Sequence, residues 1–439
     1  MKRASFLVLL AACGGGADVV DNAPKKPSFV LMVADDQRWD TIGHPILKTP
    51  NLDRLASEGV LFRNAFVTTS ICAISRASIM SGRLARNHKV GDFATALPED
   101  VATFPAILKK GGWRTGCFGK WGIGGKPPAD VFDVWDAWGG QGAFFHGETH
   151  NSEWLARRAE EFIQSTPRGQ PFCLVILFKA PHDPYQPDPR DAELFKEVDF
   201  PAPASDWAKL PDFLRTSEAR TRHDKWTGKA GYAEFVRNYL RCVAGVDRAV
   251  GKITGAIDAA GRGSETLVAY TSDNGFLLGE HGLIEKWQMW EESIRVPLIV
   301  KAPWTSPSMR GRKVDAMALN IDLAPTIVDW SGEAAPAEFD GRSLRRLLVG
   351  QASSWRTEFL YEHHFHYGGK IPRTEGLRTE RWKYVTYFDV NPPFEQLFDL
   401  KEDPREQRNL ALEGSDQLAT MRTRYRQAVG GLAPPVVPK

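Results

Sequence analysis

Residues 28–36 read Ser28-Phe29-Val30-Leu31-Met32-Val33-Ala34-Asp35-Asp36, an unbroken apolar run that ends in two adjacent carboxylates. A strand covered by helices on both faces of a parallel sheet has this character, whereas a half-exposed strand alternates. The carboxylates then fall at the C-terminal end of the strand, the edge where open α/β sheets place ligands. Two acidic groups are costly there unless positive charge neutralises them, and a hard cation does so economically. A solvated turn with helix-capping aspartates is the competing reading.

The same pattern recurs. Residues 172–178 and 265–271 are further apolar strands, 113–118 and 297–301 are shorter ones, and 265–271 runs into Ser272-Asp273-Asn274-Gly275. A second pair of oxygen donors at a second strand end turns Asp35, Asp36, Asp273 and Asn274 into a candidate four-oxygen cation site. Between the strands, 49–59 and 101–110 read as short helices stopped by glycine. Residues 232–260 form a long amphipathic helix, with Phe235, Tyr239, Val243, Val246, Val250, Ile253 and Ile257 at three- and four-residue spacing. Residues 186–231, polar and punctuated by proline, with Trp207 and Trp226 among charges, read as a long excursion over the ligand edge. From Trp355 onward the runs 359–361, 381–387 and 396–400, followed by a charged helix at 416–429, indicate a small antiparallel sheet. The expected organisation is an α/β protein with a large, mostly parallel sheet: 1–26 signal and tether, 27–350 catalytic domain, 351–439 small C-terminal α+β domain.

Several reactive side chains accompany these edges. Residues 69–83 read Thr-Ser-Ile-Cys-Ala-Ile-Ser-Arg-Ala-Ser-Ile-Met-Ser-Gly-Arg, with N-cap types at Ser75 and its neighbours and a stop at Gly82. Cys72 at a helix N-terminus and Arg76 one turn on would favour a thiolate or a bound oxyanion, although a buried structural cysteine fits the same residues. The 113–118 strand delivers Gly119-Lys120-Trp121-Gly122. The 172–178 strand delivers Lys179-Ala180-Pro181-His182-Asp183-Pro184, where His182, between prolines, suits a proton donor or an anion contact. Gly279-Glu280-His281-Gly282 and Lys286 follow the second acidic pair. Glu362-His363-His364-Phe365-His366 has the composition of a zinc tract, but neighbours on a strand alternate faces and cannot all converge, so contacts at the substrate edge are expected instead.

The chain of 439 residues is 42% hydrophobic and 25% charged, enough for one large core and a smaller appended unit. A formal charge of +2 gives no electrostatic footprint for nucleic acid. Lys2 and Arg3, an apolar run at 5–12 and Leu10-Ala11-Ala12-Cys13 form an export signal too short to span a bilayer. It resembles a bacterial lipoprotein signal, which implies acylation at Cys13, a tether through Gly14–Gly16, and an extracytoplasmic protein that meets the membrane through a lipid anchor. An ordinary secretory signal is the alternative. Cys117 and Cys173 lie in strand-like runs and read as core residues, and the five cysteines match no zinc spacing.

Taken together, Asp35-Asp36, the run 72–82, Gly119-Lys120-Trp121, Ala180-Pro181-His182, the stretch 271–300, and Leu397-Phe398-Asp399-Leu400 with Asp403-Pro404 resemble the type I sulfatases of the alkaline phosphatase superfamily. The resemblance covers nearly the whole chain after the tether. It implies an alkaline-phosphatase-like α/β/α sandwich that hydrolyses sulfuric esters. One Ca²⁺ would be held by Asp35, Asp36, Asp273, Asn274 and the residue-72 side chain, with Cys72 oxidised to formylglycine (3-oxoalanine) by a formylglycine-generating enzyme. Hydrated formylglycine offers one oxygen to attack sulfur and another for collapse of the sulfated intermediate. Arg76, Lys120 and Lys286 would stabilise the sulfuryl oxygens, and His182 would protonate the leaving alcohol. The substrate expected is a sulfated small molecule or glycan. Phosphoester or phosphonate hydrolysis, or glycan binding without turnover, are the alternatives. Two positions depart from the family pattern: Ile74 stands where Pro or Ala is usual, and Gly122 where a histidine usually assists the formylglycine hydroxyl. His150 and His281 are the candidates to reach in.

Overall fold

Strand β1 (Ser28–Ala34) is a central strand of an eight-stranded sheet among the described residues, and its neighbours show why its sequence is apolar throughout. Phe29, Leu31 and Val33 face one helical layer, packing in a cluster with Ala77, Ile79, Met80, Phe104, Leu108, Ile327 and Val328. Val30, Met32 and Ala34 face the other, with Leu52, Leu55, Leu155, Ala159, Val246, Val250 and Ile253. Both faces of one strand are therefore removed from water, which gives a continuous apolar run instead of an alternating one.

The structure is a computed structural model and describes residues 24–127, 130–205, 207–229, 231–352 and 354–437; the expected export signal and Cys13 lie outside them. The remaining strands of the main sheet are β2 (Val60–Phe62), β3 (Arg114–Lys120), β4 (Val134–Trp138), β5 (Phe172–Leu177), β6 (Thr266–Ser272), β7 (Leu298–Lys301) and β8 (Arg312–Val314). Their order is β8-β2-β7-β6-β1-β5-β3-β4, and every pairing is parallel except those of β7 with β2 and β6. The helical layers are built from α1 (Pro50–Glu58), α2 (Cys72–Ser81), α3 (Phe104–Lys110), α4 (Asn151–Ser165), α5 (Glu218–Lys229), α6 (Tyr232–Ala259) and α7 (Leu323–Ser331). Because β1, β6, β3 and β5 run the same way, Asp35-Asp36, Asp273-Asn274, Lys120 and His182 all emerge at one edge, with Ala34 in register opposite Ser272.

A second sheet, β9 (Glu358–His363), β10 (Thr374–Thr379), β11 (Trp382–Tyr387) and β12 (Phe394–Asp399), is an antiparallel meander. Helix α8 (Asp416–Val429), capped by the Ser415 side chain, covers it with Leu418 and Met421 against Leu377, Tyr384 and Leu397. This sheet grips the main body near the functional edge. The Tyr361 hydroxyl accepts from Ser70 N at 3.2 Å and donates to the Trp287 carbonyl. Fully buried Lys383 lies 2.8 Å from Glu291 and 2.7 Å from Glu406 and donates to the Met289 carbonyl at 2.8 Å.

Two expectations need correction. The 186–231 excursion contains α5, which has no apolar period because tertiary contacts hold it: Glu218 N donates to the Lys370 carbonyl at 2.8 Å, Arg222 meets Glu285 at 2.7 Å, and Trp226 packs edge-on to Tyr185 at 4.9 Å. The first three residues of the histidine tract are not an open edge for substrate, while Phe365 and His366 are half-buried. Glu362, His363 and His364 are buried; Arg86 bridges Glu362 and Glu375 at 2.6 and 2.7 Å, and His364 Nε2 lies 2.9 Å from Glu375. The tract fastens the small sheet to the segment after α2.

Lys383→Met should leave Glu291 and Glu406 buried without their shared cation and cost about 3–5 kcal/mol in urea unfolding; a loss below about 1 kcal/mol would contradict the clamp. Glu292, 8% exposed, sits in the same segment, and burial together with the Glu280 charge pushes its carboxyl from 4.5 up to about 8 against the pull of Arg38. Between those values the folded chain keeps a proton that the unfolded chain has lost, so this group's contribution to stability falls as pH rises toward about 8. Glu292→Gln should flatten that part of the Tm-against-pH curve, and an unchanged slope would rule the assignment out.

Candidate active site

Helix α2 begins at Cys72, after Ile71 in extended conformation with no side-chain cap, and ends at Gly82, whose φ of +66° suits glycine. The helix therefore starts three residues before Ser75. That serine lies in the first turn instead of capping it, its hydroxyl accepting from Asn320 Nδ2 at 2.9 Å. All ten residues of α2 are buried, so its uncapped N-terminal N–H groups and Cys72 face the protein interior at the sheet edge.

Arg76 organises that edge. Its Nε donates to Asp273 Oδ2 at 2.7 Å, its Nη2 to Asp35 Oδ2 at 3.0 Å and to the Phe178 carbonyl at 3.3 Å, and its Nη1 to the Lys120 carbonyl. Lys120 also pairs with Asp35 Oδ2, and Lys286 with Asp36 Oδ1. Asp35, Asp36 and Asp273 thus face Arg76, Lys120 and Lys286, all at most 3% exposed, and the fixed charges cancel. Burial alone would raise Asp35, but Lys120, His182, Arg76 and Lys286 outweigh it and hold its carboxyl well below the ordinary range. Asp273 goes the other way: burial and the neighbouring Asp35 charge push it up to about 6 against Arg76.

Asp36 adopts a left-handed φ of +70°, fixed by Tyr239, whose hydroxyl donates to the Asp36 carbonyl at 2.8 Å, and by Asp36 N donating to Asp273 Oδ1 at 3.2 Å. The Asn274 amide donates to Asp36 Oδ1 at 2.6 Å and to the Gly275 carbonyl at 2.8 Å, which leaves its Oδ1 without a partner. Asp35 Oδ1 is likewise buried and unpartnered. Orphaned buried acceptors are rare, and two at the end of adjacent parallel strands, in an all-oxygen set, are what a hard cation would satisfy. Asp35, Asp36 and His182 bring donor atoms within 4.8 Å of one another.

Cys72 Sγ lies 4.0 Å from Lys120 Nζ. Burial raises its thiol, with Lys120 and Lys286 pulling the other way, so the unmodified side chain is a poor nucleophile near neutral pH. His182 is 7% exposed, its Nε2 3.8 Å from Asp36 Oδ2 and its Nδ1 2.8 Å from Asp183 Oδ1. The edge therefore gathers Asp35, Asp36, Cys72, Arg76, Lys120, His182, Asp273, Asn274 and Lys286.

It does not gather His150 or His281. His150 caps α4 and turns Nε2 to the Gln186 carbonyl at 3.1 Å, and His281 stacks on Trp290 at 3.8 Å. Gly122 has a φ of +72°, and a Cβ there would meet Arg76 and Lys120 only at 3.6–3.8 Å, so the space is open but the backbone favours glycine. Ile74 is 3% exposed and packs in the core. Sequence reasoning passed over Lys179, Asp183 and Arg222. Lys179 Nζ donates to the Asp183 carbonyl at 3.1 Å, and Arg222 pairs with Glu285 beside Lys286. The signal for the first two was in plain view, as a lysine and an aspartate flanking His182.

Comparison with known proteins follows the same lines. Residues 27–333 match the sulfatase family model, and residues 279–429 match the model for the C-terminal region of N-sulphoglucosamine sulphohydrolase. An N-acetylglucosamine-6-O-sulfatase of Bacteroides thetaiotaomicron is 28% identical over 91% of this chain and 85% of its own length. A multifunctional alkaline phosphatase superfamily protein of Trinickia caryophylli is 27% identical, over 88% and 91%. A solved structure of a protein in complex with its substrate D-glucosamine-2-N,6-O-disulfate superposes with a TM-score of 0.84 at 25% identity, covering 92% of this chain and 97% of that one. The chain belongs to the sulfatase family and is a sulfatase of the alkaline phosphatase superfamily.

Proposed function

We propose that this sulfatase removes sulfate from a sulfated carbohydrate, with 6-O-sulfated glucosamine as the substrate class, through formylglycine at position 72 and one Ca²⁺. The observation that carries the chemistry is the pair of buried, unpartnered oxygens, Asp35 Oδ1 and Asn274 Oδ1, at the edge that also presents residue 72. The sugar assignment rests on likeness to the glucosamine-acting relative and to the complex with the disulfated glucosamine.

Asp35, Asp36, Asp273 and Asn274 would hold the cation, whose chemistry is to polarise the sulfate and lower the pKa of the nucleophile. Formylglycine would supply, as its hydrate, an oxygen nucleophile that the raised Cys72 thiol does not. The other parts belong to the chain itself. Arg76 holds Asp35 and Asp273 in place. Lys120 and Lys286, fixed on carboxylates, present positive charge where sulfuryl oxygens arrive, and they need no reorganisation to do so. His182 is within reach of the same edge to protonate the departing sugar oxygen. Export through the 1–26 segment would bring the enzyme to extracytoplasmic glycans.

Phosphoester or phosphonate hydrolysis is the second reading, supported by likeness to the multifunctional alkaline phosphatase superfamily protein of Trinickia. Protein purified from its native host should give a 64–76 tryptic peptide carrying formylglycine at position 72. It should also release sulfate from glucosamine 6-sulfate at least about 10²-fold more efficiently than phosphate from glucosamine 6-phosphate. A peptide that is wholly thiol in an active enzyme would refute the formylglycine route. A preference for the phosphoester would install the second reading.

A further inference from the structure

Accepting the sulfatase reading and the proton-donor role of His182, the geometry points to Asp183 as a positioning residue that orients the His182 ring for proton delivery to the leaving oxygen. The His182 ring is held from one side. Its Nδ1 lies 2.8 Å from Asp183 Oδ1 and 2.9 Å from the Asp183 carbonyl, which leaves Nε2 as the nitrogen turned toward the carboxylates of the functional edge, 3.8 Å from Asp36 Oδ2. A histidine that uses Nδ1–H on a carboxylate has its tautomer and ring rotation set, and the partner carboxylate stabilises the ring when it carries both protons.

The loop is built to keep that contact. His182 N donates to the Lys179 carbonyl at 3.0 Å, and Lys179 Nζ donates back to the Asp183 carbonyl at 3.1 Å, closing the turn from both ends. Lys179 is 2% exposed, with its ammonium 4.9 Å over the Phe144 ring. The Asp183 carboxyl stays charged: burial works against it, but the bond to His182 and its charge hold it well below the ordinary range, with Arg222 and Lys286 adding to the effect. Asp183 is thus an anion fixed at the Nδ1 edge of the ring, with its side chain 24% exposed.

In the step itself, an ionised oxygen of the residue-72 nucleophile would bond to sulfur as the S–O bond to the sugar oxygen breaks; that bond's electron pair goes to the sugar oxygen, and the His182 Nε2 proton moves onto it. Asp183 neither gains nor loses a proton; it keeps Nδ1–H engaged throughout. The role is therefore large when the leaving alcohol needs a proton and small when it does not.

Asp183→Asn is nearly isosteric at a partly exposed position, so folding does not hinge on it. The variant should lose about 10²-fold or more in kcat/KM on glucosamine 6-sulfate and less than about 10-fold on 4-nitrophenyl sulfate. In a His182→Ala background, Asp183→Asn should add less than about twofold, because the two residues act as a unit. Equal losses on both esters, or additive losses in the double variant, would overturn the inference. A readout free of turnover separates this from the functional reading. The His182 Nδ1–H proton resonance of ¹⁵N-histidine-labelled protein, identified by its disappearance in His182→Ala, should lie far downfield and move upfield in Asp183→Asn. An unmoved resonance defeats the inference even in an active sulfatase. A shifted resonance in a wild-type protein that releases no sulfate upholds the positioning and defeats the sulfatase reading alone.

Discussion

Everything at the functional edge depends on one fully buried guanidinium. Arg76 reaches from the second turn of α2 to Asp35 at the end of β1 and Asp273 at the end of β6, and it also bonds the carbonyls of Lys120, which ends β3, and Phe178, which follows β5. Four strands and a helix are tied by one side chain, which has no freedom to be anything but planar and charged. Removing charges from water costs several kcal/mol per ion, so such a cluster is weak evidence for stability and better evidence for a site. The fixed charges balance without a cation, yet Asp35 Oδ1 and Asn274 Oδ1 remain unpaired. Both point into the edge that also presents residue 72, which supports the proposed cation site.

Much of this was legible in the chain. Apolar runs of strand length fixed the buried parallel sheet, because a two-faced strand has no polar register to show. The acidic pairs after β1 and β6 stood out because carboxylates rarely follow such runs. Cys72, Arg76, Lys120, His182 and Lys286 were found through local pattern and resemblance, and all lie at the same edge. What the sequence could not show were contacts made by unremarkable residues across long separations. Helix α5 has no apolar stripe, being held by Arg222 on Glu285 and Trp226 on Tyr185. Glu362 and His364 looked available until Arg86 and Glu375 claimed them. The helix cap at Ile71 carries no side-chain signal at all.

The small C-terminal sheet contributes more than bulk. Through Tyr361 it holds Ser70, two residues before Cys72, and Trp287, next to Lys286; through Lys383 it holds Glu291 and Met289. Position 72 and one of the two lysines are therefore braced by the same layer. Gly122 leaves open space between Arg76 and Lys120, and neither His150 nor His281 fills it. Of the three histidines weighed for this site, His182 alone lies at the edge, held by the loop that closes around it.

The central claim is that the Arg76-organised edge is a calcium site that uses the Asn274 carbonyl oxygen. Isothermal titration of Ca²⁺ into chelator-treated protein tests it most directly, with Asn274→Ala as the partner because that change leaves the Arg76 ion pairs intact. The account predicts saturable binding of one ion per chain by the wild type, weakened at least about 10-fold in the variant. No heat of binding in the wild type, or an unchanged affinity in Asn274→Ala, would contradict it.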